Sequence, residues 1–310
     1  MKYLFLCFVF LPSFLPAQTS FSEAYEINQT EDVHPFRLHY NLNEPNATLE
    51  MPDELEEISG LSLTPDESRL VAVQDEEGEV FLINKRTGEV ERDYNFHKDG
   101  DYEGVEMVGK SIFVVKSNGK IYEIHNVGED HQQTIKFTTA LNKEFDVEGL
   151  GYDAKNERLL LACKEVGEEG DEPILEKSIY AFDLKTRTLV EKPVYVLRLK
   201  DFLDYLENNK HVRRYEKMQN HFSKDPEDFG FSASAIAINP RTGHIYALSS
   251  KGKMLGVMNT AGKILHVEKL DKEIHPQPEG LCFAKDGTMY LSNEAKNGQE
   301  AVIYRFDFLP

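Results

Sequence analysis

Apolar and polar residues alternate with a period of two in short runs along most of the chain, with Gly, Asn and Asp between runs, which predicts strands joined by hairpin turns. The runs repeat in a fixed order. Five copies of a small or acidic residue, then Gly or Ala, then alternating apolar residues are Ser59-Gly60-Leu61, Glu103-Gly104-Val105, Glu148-Gly149-Leu150, Ser234-Ala235-Ile236 and Glu279-Gly280-Leu281. Each copy leads into a second run, such as Arg69 to Val73 or Thr288 to Ser292, and then a third, such as Glu79 to Ile83 or Ala301 to Arg305. From Gly60 to Gly104, Gly149, Ala235 and Gly280 the successive spacings are 44, 45, 86 and 45 residues. A unit of that length fits a four-stranded propeller blade.

The long interval has room for a sixth blade or an insertion. Residues 198–228 lack strand alternation, and Asp201 to Leu206 and Arg213 to Met218 read as charged amphipathic helix. The predicted fold is therefore all-β, a five-bladed propeller with a helical insertion between blades 3 and 4. The last unit stops at Pro310 after its third strand, so Phe36 to Met51 is expected to supply the fourth and close the ring through both chain ends. The propeller domain is set at 34–310, after a polar lead-in at 18–33.

Residues 1–17 carry a basic start, an apolar run to Pro16 and a small residue at Ala17, the pattern of a signal peptide. The chain is expected to be exported to the periplasm or cell envelope, with an uncleaved N-terminal anchor as the alternative. Cys163 and Cys282 sit in strand patterns and read as small core hydrophobes rather than a disulfide pair. The 310-residue chain carries a formal charge of −19. That balance opposes nucleic acid and favours a cation as partner. A monomer is expected, with an unidentified protein or small-molecule ligand.

Glu148 to Asp153, Ser234 to Pro240 with Thr242-Gly243-His244, and Pro276 to Gly280 resemble the SdiA-regulated, or YjiK-like, family of bacterial envelope proteins. The likeness runs over nearly all of residues 50–308. It implies a five-bladed propeller related to NHL-repeat propellers, with a calcium ion at its centre and no established activity. The charged helical insertion departs from that pattern.

The first strand of a propeller blade lines the central channel, so Ser59, Glu103, Glu148, Ser234 and Glu279 are expected to form a ring about the axis. Three carboxylates within about 5 Å would repel by roughly 3 kcal/mol per pair at an effective dielectric near 20. Protonation or channel water would relieve this, as would a hard cation, and calcium with carboxylate, hydroxyl and water ligands is the expected cofactor. Asp75, Lys164, Glu165, Asn293 and Glu294, at the ends of second strands, form a candidate second tier in which Lys164 neutralises part of the ring. The acidic runs Asp75 to Glu77 and Glu165 to Glu172 read as solvated loops. The chain lacks a G-x-S-x-G elbow, a P-loop and a zinc-protease helix. Two functions stay open: a non-enzymatic calcium-binding scaffold, and a calcium-dependent lactonase-like or phosphoesterase-like hydrolase using Glu57 or His275 for proton transfer.

Overall fold

A computed structural model describes residues 36–165, 175–224 and 229–310. The predicted signal segment 1–17 and lead-in 18–33 lie outside these residues, as do parts of the second acidic run and of the insertion. Five antiparallel sheets form the blades. Blade 1 comprises Ile58–Leu63, Arg69–Gln74, Glu79–Asn84 and Val90–Asn95, and blade 2 comprises Tyr102–Val108, Ser111–Lys116, Ile121–His125 and Gln133–Phe137. In blade 3, Val147–Asp153, Arg158–Cys163 and Glu176–Asp183 are followed by an outer edge shared between Thr188–Leu189 and Tyr195–Arg198. Blade 4 comprises Ser232–Ile238, Ile245–Lys251, Met254–Met258 and Ile264–Lys269.

Blade 5 is built from both ends of the sequence. Pro278–Phe283, Met289–Asn293 and Val302–Phe306 are completed by Ala47–Glu50, with Leu49 opposite Ile303. The segment before that strand is also fastened down. Tyr40 donates to the Gly287 carbonyl at 2.6 Å and accepts from Asn239 Nδ2 at 2.6 Å, tying residue 40 to blades 4 and 5.

Alternation explains the core, because one face of each sheet packs on the next blade. Leu61, Leu70, Ala72 and Phe81 of blade 1 meet Tyr290 and Ile303 of blade 5 in one buried cluster. The first strands approach most closely. A Cβ on Gly60 would lie 2.5 Å from the Val105 nitrogen, and one on Gly104 would lie 2.5 Å from Leu150 Cβ. The repeated glycine is thus a packing requirement, relaxed in blade 4 where Ala235 replaces it.

The insertion forms two helices, α1 (Leu199–Asn208) and α2 (Tyr215–Lys224), between blades 3 and 4. Phe202, Tyr205 and Leu206 on α1, with Met218 and Phe222 on α2, follow the i, i+3, i+4 spacing of one helix face. They bury that face against Phe229, Phe231 and Val267, and Tyr205 Oη meets His266 Nδ1 at 2.9 Å. Cys163 and Cys282 are buried and free. No helix among the described residues is long and apolar enough to cross a membrane.

Candidate functional site

Each first strand breaks its pairing at the ring position. The register shifts between Ile58 and Leu61, Tyr102 and Gly104, Val147 and Gly149, Ala233 and Ala235, and Pro278 and Leu281. Two residues there face one on the neighbouring strand or lose their partner, which is a β-bulge, and a bulge re-aims side chains. Glu103, Glu148 and Ser234 are left out of the ladder singly, and Ser59 and Glu279 are left out together with Gly60 and Gly280.

The five ring positions do not contribute equally. Glu103, Glu148 and Glu279 come within electrostatic reach of one another. Burial, followed by Glu148, Asp101 and Glu279, pushes the Glu103 carboxyl up to about 10. Burial, with Glu294 and Glu148 adding to it, raises Glu279 to about 8, while Lys164 and Gln277 work against the rise. Burial raises Glu148 too, and Lys164 opposes it most directly, with Nζ 2.6 Å from Glu148 Oε1. Ser59 and Ser234 are committed to backbone. Ser59 Oγ donates to the Glu57 carbonyl at 3.3 Å, and Ser234 Oγ donates to the Pro278 carbonyl at 3.0 Å.

Of the candidate second tier, Lys164, Asp75 and Glu294 gather at this mouth. Against burial, which works the other way, Glu148, Asp146 and Glu279 hold Lys164 protonated above the usual lysine value. Burial, then Asp75 and Glu57, raises Glu294 to about 7; burial, then Glu57 and Glu76, raises Asp75 to about 6. Asn293 is fully buried at the end of its strand, and neither polar atom of its amide has a hydrogen-bond partner. Glu165 departs from the expected tier, because its carboxylate takes the buried ammonium of Lys177 on the third strand of blade 3 at 3.1 Å. A lysine that deeply buried needs a counter-charge, and Glu165 supplies it.

The proton-transfer candidates separate. Glu57 stands beside Asp75 at the mouth. His275 does not serve there: its Nε2 meets the Leu42 carbonyl at 2.8 Å, its ring packs against Tyr304 and Phe306, and burial pushes it down to about 4. It is a structural side chain under the N-terminal segment.

A further set of mouth residues stands two positions before the ring: Glu57, Asp101, Asp146 and Gln277. Asp101 accepts from Ser117 Oγ, Asp146 lies 3.8 Å from Lys164 Nζ, and Gln277 donates to Glu279 while accepting from Lys296. The repeated acid-x-Glu pattern at 101/103 and 146/148 was the sequence signal for them. In chemical kind the mouth fits a hard cation, since its donors are carboxylate, hydroxyl and amide oxygens in excess of its lysines. The geometry is open. Among the described residues, no three His, Cys, Asp or Glu side chains converge closely enough to hold a metal ion.

These features define a five-bladed β-propeller with an acid-lined channel mouth. The chain belongs to the SdiA-regulated family, whose model matches residues 40–167 and 184–299. Among solved structures, it is similar to the PQQ-bound aldose sugar dehydrogenase of Streptomyces coelicolor, with 11% identity and a TM-score of 0.50 over 85% of this chain and 97% of that one. Hydrazine synthase of Kuenenia stuttgartiensis gives 12% identity and a TM-score of 0.48 over 80% of this chain and 83% of that one. A gluconolactonase of Xanthomonas campestris gives 10% and 0.47 over 81% and 72%. At such identities the likeness is one of fold alone.

Proposed function

We propose that this protein is an exported, calcium-binding scaffold of the cell envelope, whose channel mouth takes the ion and whose propeller faces are offered to a partner or ligand. The observation that carries the reading is the grouping of Glu103, Glu148 and Glu279 with one close ammonium, Lys164, at 2.6 Å from Glu148. Burying like charges without compensation is costly, and a divalent cation offsets the cost directly. The orphaned amide of Asn293 beside Glu294 is a second argument, because a fully buried polar group without a partner calls for a water or an ion. Calcium tolerates irregular shells of carboxylate, amide, carbonyl and water oxygens, so an open set of donors suits it better than it suits magnesium. Export rests on the composition of residues 1–17.

The test is a thermal melt of the chelated protein with and without excess calcium. At about 100 times the dissociation constant, calcium adds roughly 2.7 kcal/mol. The shift disappears in the Glu103→Gln, Glu148→Gln, Glu279→Gln triple variant. A melt indifferent to calcium would reject the ion and leave the mouth as a protonated or hydrated channel.

A further inference from the structure

A second ring lies three residues further along the first strands, formed by Ser62, Glu106, Gly151, Ala237 and Cys282. Four of its members are small and one is a long acid. Glu106 reaches across two blades: Ser62 Oγ donates to its Oε2 at 2.8 Å, and the Tyr152 backbone N–H donates to its Oε1 at 3.0 Å. Ser62 Oγ in turn accepts the Met107 N–H at 3.2 Å. This carboxyl forms the floor of a cavity of about 1070 Å³ at the end of the channel where the first strands finish, away from the glutamate mouth. The hairpin loops that follow those strands make its rim.

Among the described residues, the charges at the rim of the cavity are paired with one another apart from Lys155, whereas Glu106 below them has no charged partner. Arg158 Nε donates to Asp153 at 2.8 Å, Asn156 Nδ2 donates to the same carboxylate at 2.7 Å, and Lys285 lies 4.0 Å from Glu67. Asn239 is spent on Tyr40. Glu106 has neutral donors and, among the described residues, no ion-pair partner within salt-bridge distance. Ser62 and the Tyr152 N–H give each oxygen one hydrogen bond and the Met107 N–H lies close by, whereas the two carboxylate oxygens together can accept about four. Ala237 presents only a methyl group to the cavity, and Met107, Tyr152 and Phe283 give it apolar and aromatic walls.

We propose that this cavity binds a small organic ammonium ion, its nitrogen seated on Glu106 and its apolar body against Met107, Tyr152 and Phe283. A cation compensates a buried charge that neutral ligands leave uncompensated, and the two aromatic rings pack against its apolar body. A polyol would need several free polar groups at fixed places, and Asp153, Asn156, Arg158 and Asn239 at the rim are already engaged. An anion would meet the Glu106 carboxylate. Burial pushes that carboxyl up to about 7, with Ser62, Tyr152 and Met107 holding it down, so the charged form is populated at neutral pH and is favoured further by a bound cation.

The test is calorimetric titration of the purified chain at pH 8 and 0.15 M salt with three probes of one shape: 2-phenylethylammonium, 2-phenylethanol and 3-phenylpropanoate. The ammonium binds roughly tenfold or more tightly than the alcohol, and the carboxylate binds most weakly. Glu106→Gln removes the preference for the ammonium, while Glu67→Gln, which deletes an equal charge at the rim, keeps it. Equal binding of ammonium and alcohol, a preference for the carboxylate, no binding of any probe, or equal losses in the two variants each overturns the proposal. Should Glu106→Gln fail to fold, the three-probe comparison on the unaltered chain decides alone.

Discussion

Lys164 Nζ lies 2.6 Å from Glu148 Oε1 and 3.8 Å from Asp146, which makes Glu148 the compensated member of the glutamate trio. Among the described residues, neither Glu103 nor Glu279 has a cationic partner within ion-pair distance, and Glu279 accepts from the neutral amide of Gln277 instead. Removing one partner of a largely buried pair leaves the other charge stranded, a larger effect than the net worth of the pair. Lys164→Met is expected to destabilise the calcium-free protein by about 1–3 kcal/mol, allowing for the partial exposure of the lysine. Adding Glu148→Gln to that variant restores most of the loss, because the stranded charge is gone. Urea unfolding of the two single variants and the double variant measures the coupling, and additive losses would mean the pair is solvent-screened.

The acidic mouth also sets a pH dependence of unusual sign. Glu103, Glu279 and Glu294 have folded-state values of about 10, 8 and 7, against 4.5 for an ordinary glutamate. A carboxyl raised in the folded state favours folding below pH 4.5, where both states are protonated. Its contribution is lost as pH rises towards the folded value, because the unfolded chain releases its proton first. Under chelation, stability is expected to fall by several kcal/mol between pH 5 and pH 9, with Glu103 the largest contributor. Glu103→Gln with Glu279→Gln flattens the curve and raises stability at pH 9. Calcium, competing with these protons, stabilises more at pH 8 than at pH 5. Melts across that range with chelator and with calcium check both statements, and a flat chelated profile in the unaltered chain would contradict the first.

The repeat, the blade number, the closing strand and the helical insertion were legible because strand alternation and repeat spacing survive in the amino-acid pattern. The first ring was legible for the same reason, as Glu103, Glu148 and Glu279 occupy one repeat position. Glu106 was not. Strict alternation sends residues 103 and 106 to opposite faces of a strand, yet the bulge between Tyr102 and Gly104 shifts the parity and lets both serve the channel. A bulge leaves no mark in a hydrophobic pattern. The engagement of Glu165 was hidden for another reason: its partner Lys177 stands on the blade's next strand, and only the way that strand returns brings the ammonium to the carboxylate.

Gly60 tests the close packing of first strands. A Cβ there would stand 2.5 Å from the Val105 nitrogen and 2.8 Å from Gly104 Cα, both backbone atoms of the next blade that cannot turn aside. Gly60→Ala is therefore expected to cost about 2–4 kcal/mol, more than a helix-surface change of the same size, since two blades must part to admit one methyl group. Ala235→Gly, at the position where the repeat already carries the methyl, costs about 1 kcal/mol or less. Thermal melts of the two variants provide the comparison, and similar midpoints would show that the blades yield at this contact.

Leu49 is the side chain that fastens the ring shut. It is buried at 4% exposure among Phe81, Ile303 and Tyr290, opposite Ile303 in the strand that the N-terminal region lends to blade 5. Because residues 49 and 303 lie at opposite ends of the sequence, this pairing closes a very long loop and restrains all five blades together. Leu49→Ala is expected to lose about 2–4 kcal/mol from the cavity it leaves. It should also loosen blade 5 before the rest, so amide exchange rises first along Val302–Phe306 and Met289–Asn293. Hydrogen-exchange mass spectrometry of Leu49→Ala resolves these strands from those of blade 2, where Ile124, buried in a blade not joined by the chain ends, is the matched control. Ile124→Ala should lower stability by a similar amount while leaving exchange in blade 5 unchanged relative to the global opening. If both variants accelerate exchange uniformly, the ring opens as one unit and the terminal strand is not its weak seam.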